Sequence, residues 1–145
     1  MAYQEKDFQS LFGKRNKIFG VFELKLEKGK SFRFDRVAEH QQSALLKASK
    51  TGIYHKISDS LPIFGGNKHM RFTSKKPFDC INVKGDAYVV IMFYEPRNKK
   101  RVLYLLIDDF LSAQRSTERK SMREDELAQF ALYDENWIKS ITRVL

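Results

Sequence analysis

Residues 19 to 26 read FGVFELKL, with Phe22 and Leu24 alternating with Glu23 and Lys25. Strand side chains alternate faces with period two, so this segment predicts a β-strand with one apolar and one charged face. Upstream, Phe8, Leu11 and Phe12 fall on one side of a helix, which predicts a short one over residues 4 to 14. The strand ends at Lys28-Gly29-Lys30, and Asp35 then stands where it can cap a helix reaching about Ala48. Val37, Gln41, Ala44, Leu45 and Ala48 would share the inner face of that helix. Gly52 closes it, and residues 53 to 57 predict a strand.

The second half begins with a polar, glycine-bearing stretch at residues 58 to 76 (SDSLPIFGGNKHMRFTSKK), a long loop by pattern. Loops of that length are usually functional or mobile. Residues 78 to 83 and 87 to 94 predict two strands, with Lys84-Gly85-Asp86 between them as a hairpin signal. The run YVVIMFY is apolar throughout and predicts a central strand covered on both faces. A turn over residues 95 to 100 leads into another strand at 101 to 107. Ser121 with Glu124 predicts a capping box opening a helix through about Ala131. From Asn136 onward Trp137, Ile138, Ile141 and Leu145 keep helical spacing, for packing on the body or on a second subunit. No repeat and no low-complexity segment interrupts the chain. The pattern predicts one α/β (α+β) domain over residues 1–145, a mixed central sheet flanked by helices.

Composition sharpens this picture in three ways. The 12 phenylalanines provide for a packed core rather than disorder. The formal net charge of +9 points to an anionic partner, nucleic acid or a membrane surface. The single cysteine, Cys80, excludes an internal disulfide and a cysteine-rich zinc site. No apolar run approaches the ~20 residues that span a bilayer, and MAYQEKDFQS lacks the apolar stretch of a signal peptide. A soluble, cytoplasmic protein is expected, with no membrane partner.

Glu23 and Lys25 put a carboxylate and an ammonium on one strand face, where they can hold a divalent cation and position a water near a phosphate. By itself a Glu-x-Lys tripeptide is uninformative, since it arises by chance about once in two chains of this length. A second acidic residue, Asp79, follows Pro77-Phe78 at the start of a predicted strand. Two carboxylates and a lysine form the set a metal-dependent nuclease needs. Mg²⁺ takes hard oxygen ligands, and a lysine orients the attacking water or stabilises charge on the phosphorane.

Several segments together resemble the PD-(D/E)xK nuclease superfamily, and within it the bacterial RecU-type Holliday junction resolvases and their phage relatives. FELKLEKGKSFRF (residues 22 to 34) followed by Glu39-His40-Gln41 is similar to the family's catalytic strand, Ser-Phe segment and His-Gln helix. Tyr54-His55-Lys56, Lys76-Pro77-Phe78-Asp79 and INVKGD resemble the segment supplying the metal-binding Asp. AYVVIMFY, RVLYLLIDDFL and RKSMREDELAQFA resemble its later strands and following helix, so the likeness covers most of residues 20 to 131. One departure stands out: the family's Asp precedes its Glu-x-Lys, whereas Asp79 follows Lys25 by 54 positions. That is a permutation of the catalytic hairpin, and it requires the strand from Phe78 to lie beside the strand from Phe19. Asp59 and Asp86 are the alternative ligands.

The resemblance implies a restriction-endonuclease-like fold and a Mg²⁺-dependent endonuclease, with Mn²⁺ able to substitute, resolving four-way DNA junctions in a bacterial or phage-infected cell. Glu23, Asp79 and the Leu24 carbonyl would hold the metal, Lys25 would assist the water, and Gln41 would act near Lys25. Symmetric incision implies a homodimer. Glu5 stands on the first helix, where the resemblance implies an acidic residue near the metal, although a solvated helix charge is the favoured reading. His40, His55 and His69 are too scattered for zinc. Basic clusters flank the site: Lys14, Arg15 and Lys17; Lys28, Lys30 and Arg33; Lys68, Arg71, Lys75 and Lys76. With His55 and Lys56 they fit a phosphate-tracking channel with no base-reading helix. Two alternatives stay open: another nuclease of the superfamily acting on duplex, flap or nicked DNA, and a non-catalytic DNA-binding module on the same fold.

Overall fold

The computed structural model describes residues 2–56, 80–97 and 99–137. Its elements are α1 (Glu5–Arg15), β1 (Val21–Glu27), β2 (Ser31–Arg33), a 3₁₀ turn (Phe34–Arg36), α2 (Glu39–Lys50) and β3 (Ile53–Lys56). These are followed by β4 (Cys80–Val83), β5 (Ala87–Glu95), β6 (Lys99–Leu106), α3 (Ile107–Arg115), β7 (Ser121–Arg123), α4 (Glu124–Ala128) and β8 (Tyr133–Asn136). A four-stranded sheet runs in the order β1-β5-β6-β8. β1 is parallel to β5 and the other two pairings are antiparallel, so the sheet is mixed, as the α/β reading requires.

The apolar run of β5 explains this layout. Ala87 through Phe93 are all buried, so the strand needs a hydrogen-bonding neighbour on each edge and cover on each face. β1 and β6 take the edges. Val89, Ile91 and Phe93 turn toward Leu45 and Ala48 of α2 and Phe110 of α3. Tyr88, Val90 and Met92 turn the other way, toward Phe8 and Phe12 of α1 and toward Trp137. Burying one such phenylalanine stabilises the fold by about 1.5–3 kcal/mol, so α1 is held by packing more than by helix propensity. At the far edge Arg101 ties β6 to β8 and α4, with Asp134 at 2.7 Å and Glu124 at 3.1 Å.

Several local expectations are corrected. β4 and β5 are not a hairpin: β4 pairs antiparallel with β3 in a separate two-stranded sheet. Both edges of β5 are already occupied, and the Gly85 N–H is drawn to the Ala48 carbonyl at the end of α2. Asp35 does not cap α2, because Val37, extended and buried, separates the 3₁₀ turn from the helix. Ala44 is exposed rather than on the inner face. Ser121 belongs to the β2–β7 ladder opposite Arg33, so the helix opens only at Glu124, and it is Glu126 that accepts the Arg123 N–H. The pattern also missed α3 and β8. The predicted loop at residues 58 to 76 lies outside the described residues, as does the C-terminal segment beyond Trp137. Among the described residues no helix is long and apolar enough to cross a membrane.

Candidate active site

Glu23 and Lys25, two residues apart on β1, leave the same face of the sheet, the one α2 covers, where Val21 packs against the core. On α2, Gln41, Leu45 and Ala48 are spaced i, i+4, i+7 and so form one stripe. Leu45 and Ala48 anchor that stripe in the core, which sets Gln41, in the first turn, over β1.

The three polar side chains meet. Lys25 Nζ lies 3.0 Å from Glu23 Oε1, and Gln41 Nε2 donates to the same oxygen at 2.8 Å. Gln41 Oε1 accepts the N–H of Ala38 at 3.0 Å, an otherwise unsatisfied donor at the start of α2. With its carbonyl committed there, only the amide's NH₂ can face Glu23, so its orientation is determined. The side chains of Lys25 and Glu23 are 12% and 26% exposed, so the cluster is mostly withdrawn from water but open on one side. Both contacts use Oε1. Among the described residues Oε2 of Glu23 takes neither a hydrogen bond nor an ion pair.

The backbone adds a second oxygen. Val21 N–H donates to the Asp86 carbonyl at 2.9 Å, toward β5. A strand residue's N–H and C=O point to one side and alternate along the chain, so Leu24 directs its carbonyl to the opposite edge. No described strand pairs with that edge of β1. Without partners among the described residues, this carboxylate oxygen and this carbonyl are hard donors of the kind Mg²⁺ takes. They are a partial set: among the described residues no three His, Cys, Asp or Glu side chains gather for a metal.

Of the other predicted ligands, Asp79 and Asp59 lie outside the described residues. The strand that continues from Asp79 is β4, and its partner is β3 rather than β1 as the permutation required. Asp86 is exposed at the start of β5, three register positions before Val89, the residue opposite Glu23. Glu5 belongs to α1, which covers the other face of the sheet.

The predicted phosphate contacts fare unevenly. Lys28 and Lys30 are exposed on the turn between β1 and β2. Glu27 organises that turn, accepting the Gly29 N–H at 2.8 Å through one oxygen and Arg36 at 2.8 Å through the other. Sequence reasoning passed over Glu27, although a carboxylate two residues before a turn glycine is the available signal. Arg33 is exposed but paired through its guanidinium with Asp35. His55 and Lys56 are on β3, opposite Ile81 and Cys80. Lys75, Lys76, Lys68, Arg71 and His69 lie outside the described residues, and His40 is exposed on α2.

In comparisons with known proteins, no family model, no curated protein and no solved structure matches this chain.

Proposed function

We propose that this protein is a Mg²⁺-dependent, structure-selective DNA endonuclease that incises four-way junctions. The observation that carries the reading is the convergence of Lys25 and Gln41 on one oxygen of Glu23, the other oxygen having no partner among the described residues. A solvated strand face gives no reason to draw a helix amide and a largely buried ammonium onto a single carboxylate. The +9 charge and the exposed Lys28 and Lys30 beside β1 supply the attraction to phosphate.

In this reading Glu23 Oε2 and the Leu24 carbonyl would hold Mg²⁺, or Mn²⁺ in its place. The bound ion supplies Lewis acidity and a water of lowered pKa. Lys25 donates to the attacking water or to a phosphate oxygen on which negative charge builds. Gln41 keeps the Glu23 carboxylate in one setting, so that it need not reorganise when the substrate arrives. Water adds across one phosphodiester, releasing a phosphate monoester end and a hydroxyl end. A two-fold homodimer places two such sites on a symmetric junction.

The test is cleavage of labelled four-way junction, flap and linear duplex with and without Mg²⁺, alongside sedimentation of the protein with junction DNA. Metal-dependent incision of the junction by a dimer is expected. Preference for flap or duplex would make it a different nuclease. Binding without cleavage in any metal would make it a DNA-binding module.

A further inference from the structure

Phe19 is 86% exposed, the most exposed of the large apolar side chains on the described surface. Leaving a phenylalanine in water forgoes the roughly 1.5–3 kcal/mol that burial would contribute, and a free loop would fold it back onto the protein. Here the backbone on either side is braced. On one side Asn16 grips Ile18 twice, its Nδ2 donating to the Ile18 carbonyl at 2.8 Å and its Oδ1 accepting the Ile18 N–H at 3.1 Å. That same Oδ1 also accepts from the hydroxyl of Tyr104, a side chain with no exposed surface, at 3.2 Å. On the other side Gly20 is pressed against β5, so close that a Cβ there would lie 2.6 Å from the Asp86 carbonyl oxygen and 2.9 Å from the Tyr88 ring. Phe19 is therefore mounted outward between two fixed points.

The residues that precede it in the chain indicate what it is held out for. Lys14 and Arg15 end α1, and Lys17 sits two residues before Phe19; all three are exposed. An exposed aromatic ring within a few residues of clustered cations along the chain is the combination that stacks an unpaired base while its phosphates are neutralised. Phe19 lies four residues before Glu23, hence at most about 14 Å from it. That is roughly four base rises along a nucleic acid strand, within one bound substrate.

We propose that Phe19 is a base-stacking residue for unpaired nucleotides, with Lys17 and the end of α1 holding the adjoining phosphates. The proposal deepens the endonuclease reading and rests on it for the identity of the substrate: bases become unpaired where pairs open at the crossover of a branched substrate and at single-stranded ends, whereas the interior of a closed duplex keeps its bases stacked and paired. It accounts for structure selectivity without any base-reading element.

Binding without metal tests it independently of cleavage. Fluorescence anisotropy would compare wild type, Phe19→Ala and Phe19→Trp in EDTA against labelled oligothymidine, blunt duplex and four-way junction. Phe19→Ala is expected to weaken binding of oligothymidine about 5- to 100-fold while blunt duplex binding stays unchanged. Phe19→Trp is expected to keep wild-type affinity, and its added emission should be quenched by oligothymidine. Equal affinities for wild type and Phe19→Ala would overturn the proposal, as would an equal loss on single strand and duplex or an unquenched Trp at saturation. Phe19-dependent binding to anionic vesicles with none to DNA would overturn it too. If Phe19-dependent stacking persists in a protein that cleaves nothing, the nuclease reading falls and this one stands. If cleavage is present and Phe19→Ala binds as wild type does, this one falls alone.

Discussion

Gln41 on α2 donates to Glu23 on β1 over 2.8 Å, and the amide's other end is bonded to the backbone of Ala38. A helix start and a strand are thereby coupled through one side chain. Gln41→Ala should remove a hydrogen bond to a charged group, costing about 1–2 kcal/mol in denaturant unfolding. On the proposed reaction it should lower kcat by about tenfold or more with DNA affinity unchanged. A variant that loses stability and keeps full kcat would restrict Gln41 to a structural role.

Glu23→Gln should abolish Mg²⁺-dependent cleavage and leave DNA binding equal or tighter, since a carboxamide keeps the shape but removes both the ligand charge and a repulsion toward phosphate. Lys25→Ala should reduce the rate heavily while metal binding, followed by calorimetry, persists. Undiminished cleavage by the lysine variant would end its assigned role.

Lys28 and Lys30 project from a turn braced by Glu27. Replacing each with Gln should weaken binding to every DNA sequence about equally and flatten the log K against log salt slope by about one unit per lysine. A slope unchanged in the double variant would place the phosphate track elsewhere.

Gly20 and Gly85 make a contrasting pair. A Cβ at Gly20 would meet the Asp86 backbone oxygen at 2.6 Å, whereas at Gly85 the nearest contact would be 3.8 Å, to Phe19. Gly20→Ala should destabilise by about 1–3 kcal/mol, because a backbone atom cannot step aside. Gly85→Ala should be near neutral in the same thermal melts. Equal effects at the two positions would contradict the close approach of β1 to β5.

Glu126 is held below the ordinary glutamate pKa, chiefly by the Arg123 N–H and further by Arg119. A carboxylate with a depressed folded pKa contributes stability above its unfolded pKa, and that contribution disappears as pH falls through the folded value. The Tm difference between wild type and Glu126→Gln should accordingly be present at neutral pH and vanish in the acid range. A difference that grows on acidification would reverse the sign argued here.

Alternation and helical spacing already separated the faces of β1, placed Phe8 and Phe12 inward and made β5 central, because each depends only on neighbours a few residues away. They also identified Glu23, Lys25 and Gln41 as polar groups on inward-turned or charged faces. Three decisions belonged to the tertiary structure. Whether β4 would pair with β5 or β3 depended on β1 and β6 occupying both edges of β5, a competition among segments far apart in sequence. Whether Asp35 or Ser121 would cap a helix depended on Val37 entering the core and on Ser121 joining the β2–β7 ladder. That Lys25 and Gln41 share one oxygen of Glu23 followed from the packing of Leu45 and Ala48, which fixes how α2 crosses the strand. Periodicity reports which way a side chain faces. Only the packed chain decides what it meets there.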